Sequence, residues 1–349
     1  MRQGGGVLEQ VDVRLSAADA ERLAEAGFGR RGRAEGLTGE RDQNFRLRAH
    51  DGADYLLKVS NSAEDPAVTD LQTRALMHMA AADPTLPAPR VQLGRDGAPH
   101  YVWSGADGRP LVARLFSYLP GVPLYRAEMS PRLLAALGGA LARVDLALRD
   151  FRHPAENHDL LWDVQHAVRL RDLTPEIDDP DIRRLAEAGL AIFAECAAPR
   201  LPAQRTQFIH NDLNPHNVLV AENGAPIVTG VLDLGDAVRA PLIDDVAVAA
   251  AYHIDPGDDP LARVVHLVAG YHRILPLTGG EIELIRPVIL GRLAMTAAIS
   301  TWRAKRHPDN REYILRNRPA ALRGLRQLLP LSGGTVAERL RTALTEAGQ

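Results

Sequence analysis

The hydrophobic repeat of this chain changes once, and that change limits the fold. Up to Tyr118 most apolar runs alternate with polar residues; beyond Leu119-Pro120-Gly121 they recur at helical spacing. Residues 16–26 read as a helix, with Ser16 as N-cap and Asp19 three positions on. From Leu37 to Arg48 apolar and polar side chains alternate after a glycine loop. His50-Asp51-Gly52-Ala53 then turns the chain, and 54–60 returns as a strand. A helix follows at 67–82, marked by Leu71, Ala75, Leu76 and Met79. Two more strands, 99–103 and 111–118, are joined by the turn Ala106-Asp107-Gly108-Arg109. Downstream the spacing predicts helices at about 130–150, 158–171, 181–197, 241–254, 260–275 and 280–305, with a helical terminus. One island of strand and loop, Gln207 to Asp236, interrupts them. The expectation is an α+β chain of two lobes: a small β-rich lobe over 1–118 and a larger α-helical lobe over 119–349. A cleft between two such lobes is a common place for a ligand.

Composition removes several classes. The charge sum over 349 residues is −3, so the chain is not a basic nucleic-acid binder. With one cysteine, Cys196, there is no internal disulfide and no cysteine-based zinc site. Cys196 sits in an apolar helical run and reads as inert core. The opening MRQGGGVLEQ lacks the apolar core of a signal peptide, and no apolar run approaches the ~20 residues that span a bilayer. A soluble, cytoplasmic protein without membrane partners is expected. Of the 41 basic residues only Lys58 and Lys305 are lysine. Lys305 lies in an arginine-rich helix and reads as a surface charge. Lys58 lies on the strand Tyr55–Val59, where a compact ammonium and a flat guanidinium would act differently.

Gly27-Phe28-Gly29-Arg30-Arg31-Gly32 matches G-x-G-x-x-G, but a helix precedes it and a strand follows. That is the reverse of a dinucleotide fingerprint, so the run reads as a helix C-cap and loop. No phosphate-binding G-x-x-x-x-G-K-[ST] and no G-x-S-x-G elbow occurs. The informative stretch is Ile209-His210-Asn211-Asp212-Leu213-Asn214-Pro215-His216-Asn217-Val218, an H-x-D-x-x-x-x-N between apolar flanks. Sixteen residues after Asn217 comes Asp233-Leu234-Gly235. This pairing and spacing fit phosphoryl transfer, which needs positioning and charge neutralisation more than covalent chemistry. Asp212 would accept the proton of an attacking hydroxyl and aim its oxygen. Asn217 would offer a neutral oxygen, and Asp233 a charged one, to Mg²⁺. Lys58 would grip nucleotide phosphates, with Asp70 on the following helix holding it and Glu64 as a substitute. The loop Thr38 to Gln43 would cover the phosphates. His210 reads as a structural hydrogen-bonder, His216 as a loop residue, and Asp244 and Asp245 as carboxylates at a helix start. Asp236 suits an ammonium group on the acceptor, and Arg303, Arg306 or Arg311 a carboxylate.

In this order the motifs resemble the aminoglycoside-phosphotransferase family of small-molecule kinases over nearly the whole chain. Gly39-Glu40-Arg41-Asp42-Gln43-Asn44-Phe45, Val231–Asp236 and Arg292-Leu293-Ala294 with the Trp302–Tyr313 region resemble its hydroxylysine-kinase branch. The resemblance implies a bilobal protein-kinase-like fold with a nucleoside triphosphate, ATP or GTP, in the cleft. It also implies that backbone groups of Ser117 and Leu119 hold the base. Two departures stand out. Asp70 replaces the usual glutamate and is one methylene shorter. The first loop has a single glycine, Gly39, leaving Arg41 or backbone amides to contribute. The expected activity is metal-dependent transfer to the hydroxyl of a small amine or amino acid, with 5-hydroxylysine the best single guess. An aminoglycoside kinase would use an acidic acceptor site, for which Asp255 to Asp259 come into question. A nucleotide-binding scaffold without turnover typically loses one of the positions that Lys58, Asp212, Asn217 and Asp233 keep here. A protein kinase is set aside, because the segment after Asp233 is too short for an activation loop and no A-P-E follows.

Overall fold

A computed structural model describes residues 14–37, 39, 42–104 and 110–347. The opening decapeptide, Thr38, Glu40 and Arg41 of the first loop, and the turn at 106–109 lie outside the described residues. Two compact units emerge: residues up to Pro120 with 151–161, and 121–150 with 162 onward. The segment 151–161, which the sequence reading assigns to the second lobe, groups with the first.

In the first unit, α1 (Ala17–Phe28) opens with a reciprocal cap: Ser16 Oγ accepts from the Asp19 amide and the Ser16 amide donates to Asp19 Oδ2. It ends at Gly29, whose φ of +67° is a conformation that L side chains rarely adopt. The G-x-G-x-x-G run is therefore a helix end. The strands are β1 (Gly32–Leu37), β2 (Gln43–Ala49) and β3 (Asp54–Val59), then, after α2 (Pro66–Ala82), β4 (Val91–Gln92), β5 (Tyr101–Ser104) and β6 (Pro110–Ser117). They form one antiparallel sheet in the order β1-β2-β3-β6-β4, with β5 also paired to β6. Period-2 alternation decides which side chains meet α1. Phe45, Leu47, Leu57, Val59, Ala113 and Leu115 pack with Leu23, Ala24 and Phe28. Lys58, between Leu57 and Val59, must therefore face the other way, and its register partners there are Asn44 and Arg114.

The second unit begins with β7 (Val122–Pro123) and α3 (Pro131–Leu148). The sequence predicts a helix at 158–171; the structure has instead a run of 3₁₀ turns over Val164–Glu176. Asp163 starts that run by accepting the Gln165 amide at 3.1 Å, and Pro175 lies near its end. After α4 (Pro180–Ile192) the chain makes a π turn, Phe193–Ala197, closed by the Ala198 amide on the Phe193 carbonyl. The wider turn shifts the helical phase and leaves Cys196 exposed, correcting its assignment to the core. The island of strands then resolves into β8 (Thr206–Ile209), β9 (Val218–Val220), β10 (Val228–Val231) and β11 (Val238–Pro241), with β9 between β10 and β7 and β11 on β8. Next come α5 (Leu242–Ala251), α6 (Val264–Ile274), α7 (Gly279–Arg306), α8 (Arg311–Leu315), α9 (Arg318–Leu328) and α10 (Gly333–Ala347). A Cβ on Gly138 of α3 would fall on the Leu267 carbonyl, and one on Gly270 of α6 on the Ala135 carbonyl. These helices thus touch backbone to backbone. The 28-residue α7 is buried over most of its length, which makes it a stiff bed for side chains it directs elsewhere.

Candidate active site

In the first unit, Lys58 Nζ lies 3.2 Å from Asp42 Oδ2, and Arg114 Nη2 lies 3.5 Å from the same oxygen. Arg114 is buried and also donates to Ser60 Oγ, Gln72 Oε1 and the Thr69 carbonyl. The Asn61 amide donates to Asp42 Oδ1 at 3.2 Å. Asp70 does not hold the lysine. Its carboxylate bonds Arg74 at 3.2 Å and His153 at 3.1 Å. Burial pushes this carboxyl up, but those two partners outweigh it and hold it below its usual range. The correction follows from geometry: Asp42 leads into β2, whose Asn44 lies opposite Lys58, whereas Asp70 is claimed by its own helix and by the 151–161 segment. Gly39 is exposed, and a Cβ there would strike the Asp42 carbonyl and the Asn44 amide group. Ser117 ends β6; its amide donates to the Arg90 carbonyl and its hydroxyl accepts from the Arg90 amide at 2.9 Å. Leu119 is half-buried just beyond.

The second unit carries the H-x-D-x-x-x-x-N loop from the end of β8 to the start of β9. The backbone turns left-handed at Asn211 in this loop, φ +63°, and at Asp233 just past β10, φ +61°, positions that cost energy for non-glycine residues. Buried Asp245 of α5 accepts the His210 amide at 2.9 Å and the Asn211 amide at 2.8 Å. His210 joins the Leu232 carbonyl through Nε2 at 2.9 Å, so Nε2 carries the proton and Nδ1 accepts from the Asp212 amide. The Leu232 amide donates in turn to the Asn217 carbonyl, at 2.8 Å. The loop and the strand end bearing Asp233 are thereby locked together. Asp244, beside Asp245, is also fully buried.

The Asp212 carboxylate is held from two sides. Oδ2 accepts Asn214 Nδ2 at 2.7 Å and Asn217 Nδ2 at 3.0 Å. Oδ1 accepts Arg292 Nη2 at 3.1 Å and the Tyr252 hydroxyl at 3.3 Å. Burial, then Asp236 and Asp233, push the Asp212 carboxyl up to about 7 against the opposing Arg292 and Asn214. A group poised near neutrality suits general-base chemistry. Asn217 spends its amide nitrogen on the Asp212 carbonyl and Oδ2. Asp233 is exposed, with Oδ1 accepting the Gly235 amide at 2.9 Å. Asp236 is half-buried, and its carbonyl accepts Asn211 Nδ2. Thus Asp212, Asn217, Asp233 and Asp236 converge. Arg303 is buried farther along α7, Arg306 is exposed with its guanidinium over Trp302 at 4.5 Å, and Arg311 is exposed. Lys305 pairs with exposed Asp178 at 2.8 Å. The His216 ring lies against the Tyr125 ring, centroids 4.5 Å apart and tilted by 34°. Sequence reasoning missed Arg292, Tyr252 and Asn214 here, and Asp42 and Arg114 in the first unit. Asn214 lay inside the loop motif, and Asp42 and Arg292 lay in stretches resembling the branch; Tyr252 and Arg114 carried no signal.

The family model for the phosphotransferase enzyme family matches residues 33–277, most of the chain. The chain belongs to that family. Hydroxylysine kinase of Mus musculus is 26% identical over 97% of this chain and 96% of its own length, in keeping with the family and branch that the motifs resemble. Among solved structures, an amicoumacin kinase in complex with AMP-PNP and Ca²⁺ matches with a TM-score of 0.65 at 13% identity, over 87% of this chain and 91% of its own. A microcompartment-associated aminopropanol kinase matches at 0.63 and 17% identity, over 90% and 93%. The family's α+β, kinase-like fold is the one described above, and this member is an enzyme of the small-molecule kinase type.

Proposed function

We propose that the protein transfers the γ-phosphoryl group of ATP or GTP to the hydroxyl of a small amine or amino acid, with 5-hydroxylysine the leading acceptor. The observation that carries this reading is the Asp212 carboxylate, fixed through both oxygens with Asp233, Asp236 and Asn217 around it. Asp212 takes the hydroxyl proton as that oxygen attacks the γ-phosphorus, and the nucleoside diphosphate leaves. Among the described residues no cluster of three or more His, Cys, Asp or Glu side chains could enclose a metal ion. Mg²⁺ needs no such cage, because one carboxylate, one amide oxygen, waters and phosphate oxygens suffice. Asp233 and Asn217 fit that donor set, and the cation they would hold supplies charge neutralisation at the phosphates. Lys58, kept in place by Asp42, meets phosphate oxygens; Gly39 belongs to the loop over them, and backbone groups of Ser117 and Leu119 meet the base. Asp236 pairs the acceptor's ammonium and Arg303 its carboxylate. Relatives named hydroxylysine kinase support the acceptor class. The test is a coupled nucleoside-diphosphate release assay with ATP and GTP against hydroxylysine, ethanolamine, homoserine and kanamycin-type compounds. The highest kcat/KM on hydroxylysine is expected; a preference for the aminoglycoside, or for an acceptor without an amine, would overturn the assignment.

A further inference from the structure

Arg292 is only 2% exposed, on the middle of α7. Among the described residues four arginines are buried, Arg114, Arg286, Arg292 and Arg303, and a buried guanidinium is costly unless its donors are used. The two terminal nitrogens of Arg292 are used: Nη1 donates to the Trp162 carbonyl at 2.8 Å, and Nη2 to Asp212 Oδ1 at 3.1 Å and to the Tyr252 hydroxyl at 3.2 Å, while the buried Nε has no partner. The Trp162 ring, 5.0 Å from the guanidinium carbon, and the Tyr252 ring, 5.9 Å away, flank it. Tyr252 bridges the group by also donating to Asp212 Oδ1 at 3.3 Å. The loop's own residues, Asn214 and Asn217, reach only the other oxygen, Oδ2. Rotation of the carboxylate is therefore stopped from two independent directions, one local and one 80 residues away.

We propose that Arg292 is a positioning residue of the reaction, which fixes the Asp212 carboxylate in its proton-accepting orientation from α7, with Tyr252 as the bridge. The proposal rests on the reading of Asp212 as the base. A group that aims a base acts only through that base, so its effect vanishes when the base is gone; a group that merely supports the fold costs the same in either background.

The experiment is a double-mutant cycle with Asp212→Asn and Arg292→Met, reading kcat, acceptor KM, Mg-nucleotide affinity and thermal unfolding. Arg292→Met should lower kcat by about 30- to 300-fold with acceptor KM and nucleotide affinity within about threefold. The double variant should be no slower than Asp212→Asn within about threefold. Arg292→Lys keeps the charge without the fork and should restore a few-fold of kcat over Arg292→Met. A folded Arg292→Met with near-parent kcat, or losses that multiply in the double variant, would overturn the role. An active Asp212→Asn would instead overturn the base assignment. If Arg292→Met does not fold, Tyr252→Phe tests the same bridge by deleting one hydroxyl. A three- to tenfold loss of kcat that disappears in the Asp212→Asn background supports the proposal, and no loss, or an equal loss in both backgrounds, refutes it.

Discussion

Lys58 and Asp212 each anchor a polar cluster, but the two are held by different means. Around Lys58 the sheet does the holding. The backbone is ordinary strand, and register places Asn44, Lys58 and Arg114 side by side on one face. Around Asp212 the backbone is bent twice into the left-handed region, at roughly 1–3 kcal/mol for each such residue. That loop keeps its shape because its own His210 ties it to the Leu232 carbonyl and side chains from elsewhere grip it: Asp245 on two amides, Arg292 and Tyr252 on the carboxylate. A strand-borne cluster should therefore lose function only through the groups that touch ligand or pair directly with one that does. A clamped loop should also lose it through residues that touch none.

The largest effect tests the loop at its centre. Asp212→Asn should lower kcat by about 10²–10⁴-fold with nucleotide affinity unchanged, measured by steady-state kinetics and titration calorimetry. More than about a tenth of parental kcat would remove Asp212 from the chemistry. Asp245→Asn tests the clamp. An amide has one acceptor oxygen where the carboxylate has two, so one of the His210 and Asn211 amides loses its partner. We expect kcat to fall about 10- to 100-fold and stability to fall about 1–3 kcal/mol in chemical denaturation. A variant with parental values for both would mean that the loop holds itself and that the contrast with the strand cluster is false.

What the sequence made legible follows the same division. The switch of period at Tyr118–Gly121 announced a β-rich part and a helical part, and the loop motif exposed Asp212, Asn217 and Asp233, because all three sit within one short local unit. The stretch holding Arg292 resembled the branch, but its role stayed hidden because its contact with Asp212 spans 80 residues. Asp42 was passed over for Asp70 because position along a helix says nothing about which neighbours claim a carboxylate; Arg74 and His153 had already done so. Cys196 was misplaced because apolar neighbours suggest burial only while the helical phase continues, and the π turn breaks it.

Lys58→Arg tests the strand cluster where it meets ligand. The guanidinium is wider than the ammonium, and Asp42 and Arg114 crowd the position. Nucleotide KM should rise about tenfold with the circular dichroism spectrum unchanged. A variant with parental KM would show that Lys58 was spared in an arginine-rich chain for no functional reason.

The smallest effects separate two acids that sequence position alone confuses. Asp42→Asn removes the charge next to Lys58 and keeps an oxygen for the Asn61 amide, so the fold should survive and the lysine lose that ion pair. Nucleotide KM should then rise by about three- to tenfold, equivalent to losing a charge-assisted hydrogen bond. Asp70→Asn loses a half-exposed pairing with Arg74 and His153, worth no more than about 1 kcal/mol to stability, and should leave nucleotide KM within about twofold. The reverse outcome, with Asp70→Asn raising KM and Asp42→Asn silent, would mean that the lysine exchanges acids when phosphate arrives. The strand cluster would then be the more mobile of the two, and the clamped loop the fixed one.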